Sequence, residues 1–277
     1  MELPTKCAAM SVWRKIRTDF WKLKDRLTRK SRERRIYMDT IKFSSPKKPR
    51  MIAHRGVSGL ETENTCASFV AAGNRSYFGI ETDVHRTRDG QFVIFHDDST
   101  KRVSGVDLVI EKTDYETLRK LPLMEKNGTI GRTDLRIPNL REYIGICRHY
   151  GKTAVLELKN HFPQEDVYRI CDIIEEMDYL PNVIFISFDF ENLVNIKKRY
   201  PDRKVQFLTN ECDGNLVARL KKYGMDLDIY YGGLDAENAA LCRENGIELN
   251  CWTVDTPADA EKMTEYGVSY ITSNILE

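Results

Sequence analysis

Glu81 and Asp83 stand two residues apart in the apolar run Phe78-Gly79-Ile80-Glu81-Thr82-Asp83-Val84, so a strand there sends both carboxylates out on one face. Two carboxylates aimed the same way repel unless a cation lies between them, and oxygen ligands suit a hard divalent ion such as Mg²⁺ or Ca²⁺. His54 closes a shorter apolar run at 51–54, and His96 closes another at 92–96. Arg88-Asp89-Gly90 reads as a turn between 83–86 and 92–96, a hairpin that brings His96 back roughly opposite Asp83. His54, Glu81, Asp83 and His96 then share one small volume. Singly, a turn histidine is more often a cap or surface residue, and Glu-x-Asp on a strand is often a solvated edge. Together they describe an active site. His85 is read as alternating away from Asp83, and His149 and His161 as surface and loop residues.

The elements that must position these groups alternate. Strands are expected at 51–54, 78–84, 153–158, 183–188, 204–208, 227–231, 247–252 and 269–272. Helices are expected at 65–73, 140–150, 165–177, 190–199, 215–223, 236–245 and 257–266, punctuated by Gly151, Pro181, Pro201, Gly224 and Gly246. Eight strands alternating with helices most economically close into an α/β fold of the (β/α)8 TIM barrel type. A doubly wound sheet of this size would usually carry a Gly-rich phosphate loop after its first strand, and 54–59 lacks the third glycine of one. Barrel chemistry gathers at the C-terminal ends of the strands, which puts Glu157 beside Glu81 and Asp83 as a third carboxylate for the cation. A salt bridge to Lys159 is the plainer reading of Glu157. Residues 97–138 do not make another strand-helix unit and read as an insertion over the barrel mouth, either a small cap or a passive loop. Trp252, ending the seventh strand, either faces the mouth or packs in the core.

The order of motifs resembles the glycerophosphodiester phosphodiesterase family: His54-Arg55-Gly56, Thr62-Glu63-Asn64-Thr65, Glu81-Thr82-Asp83-Val84, Thr87-Arg88-Asp89-Gly90 and His96-Asp97. Glu157-Leu158-Lys159, Ser187-Phe188, Trp252-Thr253 and Ile271-Thr272-Ser273-Asn274 continue the likeness, which covers about residues 50 to 275. Thr62, Ser104 and Asn139 depart from the pattern outside the chemistry. Asn139 can still cap the helix that follows it. The resemblance implies a cap at 97–138 and metal-dependent hydrolysis of small glycerophosphodiesters to glycerol phosphate and an alcohol. Glu81, Asp83 and Glu157 would hold Mg²⁺ or Ca²⁺, His54 and His96 would serve as acid and base in no fixed order, and Arg55, Lys159 and Trp252 would bind substrate. It also implies attack by the glycerol's own 2-hydroxyl, with a cyclic phosphate that water then opens. The alternatives are a lysophospholipase D acting through the same residues, and a metal-independent phospholipase C-like barrel.

Of 277 residues, 41% are hydrophobic, which suits one sizeable domain at 50–277. Charge is unevenly placed. Residues 1–50 hold 16 Lys+Arg against 5 Asp+Glu, which leaves 27 against 37 for the remainder. Within the basic extension 1–49, residues 11–37 lack Gly and Pro and put Val12, Ile16, Phe20, Leu23 and Leu27 on one stripe of an amphipathic helix. Such a helix can lie on an anionic membrane surface or cover the barrel. Nucleic acid is not an expected partner. Seven scattered cysteines and no apolar leader or span point to a cytoplasmic chain, peripheral at the inner membrane face where the helix engages it.

Overall fold

The computed structural model describes residues 39–277. The expected amphipathic helix at 11–37 and most of the basic extension lie outside the described residues.

Eight parallel strands close the barrel: β1 (Arg50–Ala53), β2 (Gly79–Arg86), β4 (Thr153–Leu158), β5 (Val183–Ser187), β6 (Val205–Thr209), β7 (Asp226–Tyr230), β8 (Leu249–Trp252) and β9 (Tyr270–Ser273). They run in the order β1-β9-β8-β7-β6-β5-β4-β2, and β1 pairs with β2 to complete the ring. One short strand, β3 (Phe92–Ile94), adds antiparallel to the outer reach of β2. This is a (β/α)8 TIM barrel.

Helices lie between the strands, and their starts follow local chemistry. Thr65 caps the helix Cys66–Gly73 in a reciprocal box with Ser68, and Asn139 does the same with Glu142 for Leu140–Tyr150. Asp189, Asp213, Asp235 and Thr256 each accept a backbone N–H at the head of a later helix. Losing one such cap typically costs about 1 kcal/mol. The largest apolar cluster joins the outer faces of the strands to these helices, through residues such as Phe69, Tyr143, Phe185 and Ile271. A smaller cluster fills the barrel interior with Ile52, Val155, Ile184, Ile186, Leu208 and Tyr270. This cluster packs the barrel interior, and barrel chemistry gathers at the C-terminal ends of the strands above it.

Between β3 and Leu140 the insertion has a core of its own, with Val103, Ile110, Leu118, Leu123, Leu135 and Ile137 packed on Val93 and Phe95. It is thus a packed cap rather than a passive loop. At the other end of the described chain, Ile41 bridges to Leu276 and Phe43 is buried, so packing on the barrel begins before β1. Among the described residues no helix is long and apolar enough to cross a membrane.

Candidate active site

The β2–β4 register sets Asp83 beside Glu157 and Glu81 beside Val155. Glu81, Asp83 and Glu157 are all buried, with one oxygen from each within 4.8 Å of the others. Their electrostatics pull apart. Burial alone would raise Asp83, but Arg55, Lys159 and a hydrogen bond from Asn64 hold it well below the carboxylate range. Burial and then Asp83 push Glu157 up to about 8, and burial with Asp83 drives Glu81 upward too. One ionised carboxylate thus favours the protonated form of its two neighbours. Lys159 Nζ pairs with Glu157 Oε1 at 2.9 Å and stands 3.5 Å from Asp83 Oδ1, which is buried without a hydrogen-bond partner. A buried all-oxygen cluster with an orphaned acceptor is a fit for a hard divalent cation.

The turn after β1 carries His54 and Arg55. Arg55 sits at φ 54, and Gly56 follows at φ 76, where an added Cβ would lie 2.4 Å from Ser68 Oγ. Only glycine fits that second position. The strained turn aims the Arg55 backbone N–H at Glu81 Oε2 (2.8 Å), while its guanidinium Nη1 donates to Glu63 Oε1 (2.9 Å) and Nε lies 3.6 Å from Asp83 Oδ2. Asn64, also at positive φ, donates to Asp83 Oδ2 at 2.7 Å and accepts from Thr82 Oγ1.

Asn274, just after β9, orients His54. Asn274 Nδ2 donates to Asp255 Oδ2 (2.6 Å), which leaves its Oδ1 as acceptor for Ser58 Oγ (2.5 Å) and His54 Nδ1 (2.7 Å). His54 therefore carries its proton on Nδ1 and exposes the lone pair of Nε2, which is 4.0 Å from Glu81 Oε2. Burial, helped by Arg55, lowers its pKa to about 4. His96 is less enclosed. Its Nδ1 lies 2.7 Å from Asp97 Oδ1, and its pKa is lowered by burial while Asp83 and Asp97 oppose the shift.

Arg102, from the cap, makes bidentate pairs with two carboxylates. It donates to Asp97 at 2.7 and 3.0 Å and to Glu63 at 2.7 and 2.8 Å. Burial works against Asp97, yet hydrogen bonds from Arg102 and His96 bring its pKa down to about 2. One guanidinium thereby ties the carboxylate on His96 to the carboxylate on Arg55.

His54, Arg55, Glu81, His96, Glu157, Lys159 and Trp252 line one cavity of about 60 Å³, and Asp83 lies 3.5 Å from the Lys159 ammonium that lines it. Ile186 and Leu208 contribute apolar lining, and Phe188 and Tyr230 meet Trp252 edge-on or tilted at 5.8 and 5.7 Å. Trp252 thus faces the mouth.

Two expectations need correcting. The β2–β3 register pairs Val84 with Ile94, so Phe95 rather than His96 lies opposite Asp83, and the Phe95 N–H donates to the Asp83 carbonyl. His96 reaches the cavity from the residue beyond. His85 is not turned away from Asp83. Residues two apart in a strand share a face, and its buried ring lies against the His96 carbonyl (3.2 Å) with Nδ1 3.7 Å from Glu111 Oε1. Glu63, Asn64, Asp97, Arg102, Asp255 and Asn274 were missed as orienting groups, although all but Arg102 and Asp255 lie in motifs legible in the chain.

The family model for the glycerophosphoryl diester phosphodiesterase family matches residues 54–275. A glycerophosphodiester phosphodiesterase of Caldanaerobacter subterraneus subsp. tengcongensis is 30% identical over 80% of this chain and 92% of its own length. Glycerophosphodiester phosphodiesterase 1 of Mus musculus is 31% identical over 82% of this chain and 78% of its own. Among solved structures, an Oleispira antarctica phosphodiesterase in complex with the product sn-glycerol-3-phosphate superposes with TM-score 0.74, 26% identity, and 82% and 94% coverage.

Proposed function

The chain belongs to the glycerophosphoryl diester phosphodiesterase family, and from that membership we propose that it hydrolyses small glycerophosphodiesters to glycerol phosphate and an alcohol, with a divalent cation and two histidines. The observation that carries this reading is the convergence of three buried carboxylates, two oriented histidines, Arg55 and Lys159 on one cavity.

Glu81, Asp83 and Glu157 would hold Mg²⁺ or Ca²⁺, which when bound would neutralise charge on the phosphodiester. Arg55 and Lys159 add positive charge on the same wall and favour the substrate's phosphate there. His54, neutral and with Nε2 free, is suited to take the proton of the attacking hydroxyl. His96, backed by the Asp97 carboxylate, is the better placed of the two to carry a proton to the departing alkoxide oxygen. The hydroxyl proton thus ends on His54 as the O–P bond forms, and the His96 proton ends on the alcohol as its P–O bond breaks. If water then opens a cyclic product, the two exchange roles: His96 takes the water proton and His54 returns its own.

Release of glycerol phosphate from a panel of diesters, with and without EDTA, tests the proposal. Release abolished by EDTA and restored by Mg²⁺ or Ca²⁺ is expected; no release from any glycerophosphodiester overturns it. Faster turnover of lysophosphatidylcholine than of glycerophosphocholine would favour a lysophospholipase D. Residues 11–37 are proposed to contact an anionic membrane from the cytoplasmic side, on the strength of their basic charge alone. Sedimentation of the full chain with anionic vesicles, compared with a form lacking residues 1–38, checks it.

A further inference from the structure

The cavity has two unlike walls. On the β2–β4 side stand the carboxylates, Arg55 and Lys159. On the β6–β9 side the barrel interior carries a polar group: Gln206, Asp228, Asn250 and Thr272, each no more than 2% exposed. Asn250 holds it together, with Nδ2 donating to Gln206 Oε1 and Asp228 Oδ2 at 3.1 Å each and Oδ1 accepting from Thr272 Oγ1 at 3.3 Å. Asp228 lines the cavity, and its Oδ1 has no hydrogen-bond partner among the described residues. Leaving a polar atom buried and unpaired costs about 1–3 kcal/mol, so such an atom on a residue that lines a cavity marks a place where a ligand group belongs. Burial, reinforced by Glu157, raises the Asp228 pKa above its ordinary value.

We propose that Asp228 is a specificity residue that hydrogen-bonds the terminal hydroxyl of the glycerol unit. This rests on the hydrolysis of glycerophosphodiesters proposed above. The phosphate belongs at the charged wall, and the 2-hydroxyl belongs at His54 if it attacks, which leaves the terminal hydroxyl for the opposite wall. The variable alcohol goes outward, where Phe188 and Tyr230 are exposed, while the invariant glycerol fits the enclosed part beside Leu208 and Ile186.

The experiment compares glycerophosphocholine with the phosphocholine diester of propane-1,2-diol, which keeps the 2-hydroxyl and lacks the terminal one. The wild-type kcat/KM should favour glycerophosphocholine about 10- to 100-fold, the worth of one buried hydrogen bond. Asp228→Ala should remove most of that preference by losing rate on glycerophosphocholine alone, while Asp228→Asn, neutral and still able to donate, should retain it within a few-fold. Calorimetric binding of sn-glycerol 3-phosphate against propane-1,2-diol 1-phosphate gives the same comparison without turnover, and a thermal melt of each variant reports folding. A wild type indifferent to the terminal hydroxyl overturns the assignment, as does a folded Asp228→Ala that loses equally on both diesters. If neither diester is cleaved, the activity itself falls and the assignment with it; if both are cleaved without discrimination, only the assignment falls.

Discussion

Replacing Glu81 by Gln should separate stability from cation binding. In the metal-free protein burial and Asp83 push the Glu81 pKa up and favour its neutral form, for which glutamine is a substitute of nearly the same shape. The new amide oxygen can still accept the Arg55 backbone N–H that Glu81 Oε2 accepts at 2.8 Å. The metal-free melting temperature should therefore stay within about 2 °C of wild type, corresponding to under about 1 kcal/mol at ~2–4 °C per kcal/mol. With cation the two proteins should diverge. At about 100 times its Kd, a ligand bound to the native state alone adds about 2.7 kcal/mol, or roughly 5–11 °C at the same conversion. Glu81→Gln removes one of three charged ligands and should lose most of that rise at the same Mg²⁺ or Ca²⁺ concentration. Scanning fluorimetry on EDTA-treated protein, titrated with each ion, measures both quantities, and glycerol phosphate release from glycerophosphocholine should fall at least 10³-fold, on the order of several kcal/mol of charge stabilisation. A variant that keeps the full cation-induced rise, or more than a tenth of the activity, would refute the assignment of Glu81 to the cation.

Glu157 supplies a pH signature. Its folded pKa of about 8 lies above its ordinary 4.5, so between those values the folded chain keeps a proton that the unfolded chain has shed. Its contribution is complete below pH 4.5 and declines as pH rises toward 8. The metal-free wild type should lose melting temperature over that window relative to Glu157→Gln; parallel curves would count against the shift. Ca²⁺ or Mg²⁺ must displace that proton and any held by Glu81, so the apparent Kd measured by calorimetry should fall at least about tenfold per pH unit up to about pH 8. His54→Ala and His96→Ala should each lower kcat by about 10² to 10⁴, the usual worth of one acid or base, and a loss under tenfold in either would remove its role. Arg102→Ala should lower kcat by about 10- to 100-fold through the loss of charge-assisted hydrogen bonds to Asp97 and Glu63, with KM little changed. Added guanidinium should recover part of that rate in a kinetic assay; a variant that melts normally and keeps full kcat shows that the link does not position His96 and Arg55.

Much of the barrel was legible because its signals are local. The helices Leu140–Tyr150 and Phe190–Arg199 occupy the spans that hydrophobic period and capping residues indicate, since Asn139 and Asp189 satisfy the first free N–H groups of their own helices. The pairing of Glu81 with Asp83 is likewise a property of strand periodicity, and their approach to Glu157 follows once parallel strands align at one end. Register was less accessible. A hairpin count from Gly90 misses by one residue because the return strand β3 is short and nothing in its composition pins the pairing. The clamp on His54 could not be read along the chain at all. Asn274 and Ser58 are 216 positions apart, and they meet because β1 and β9 pair when the barrel closes. Asp228 belongs to the same class. In the sequence it is one of two acidic residues two apart in a short strand, and only the closed barrel decides that it is desolvated, shares Asn250 with Gln206, and keeps one oxygen unpaired, because burial and partnership depend on strands that come from distant parts of the chain.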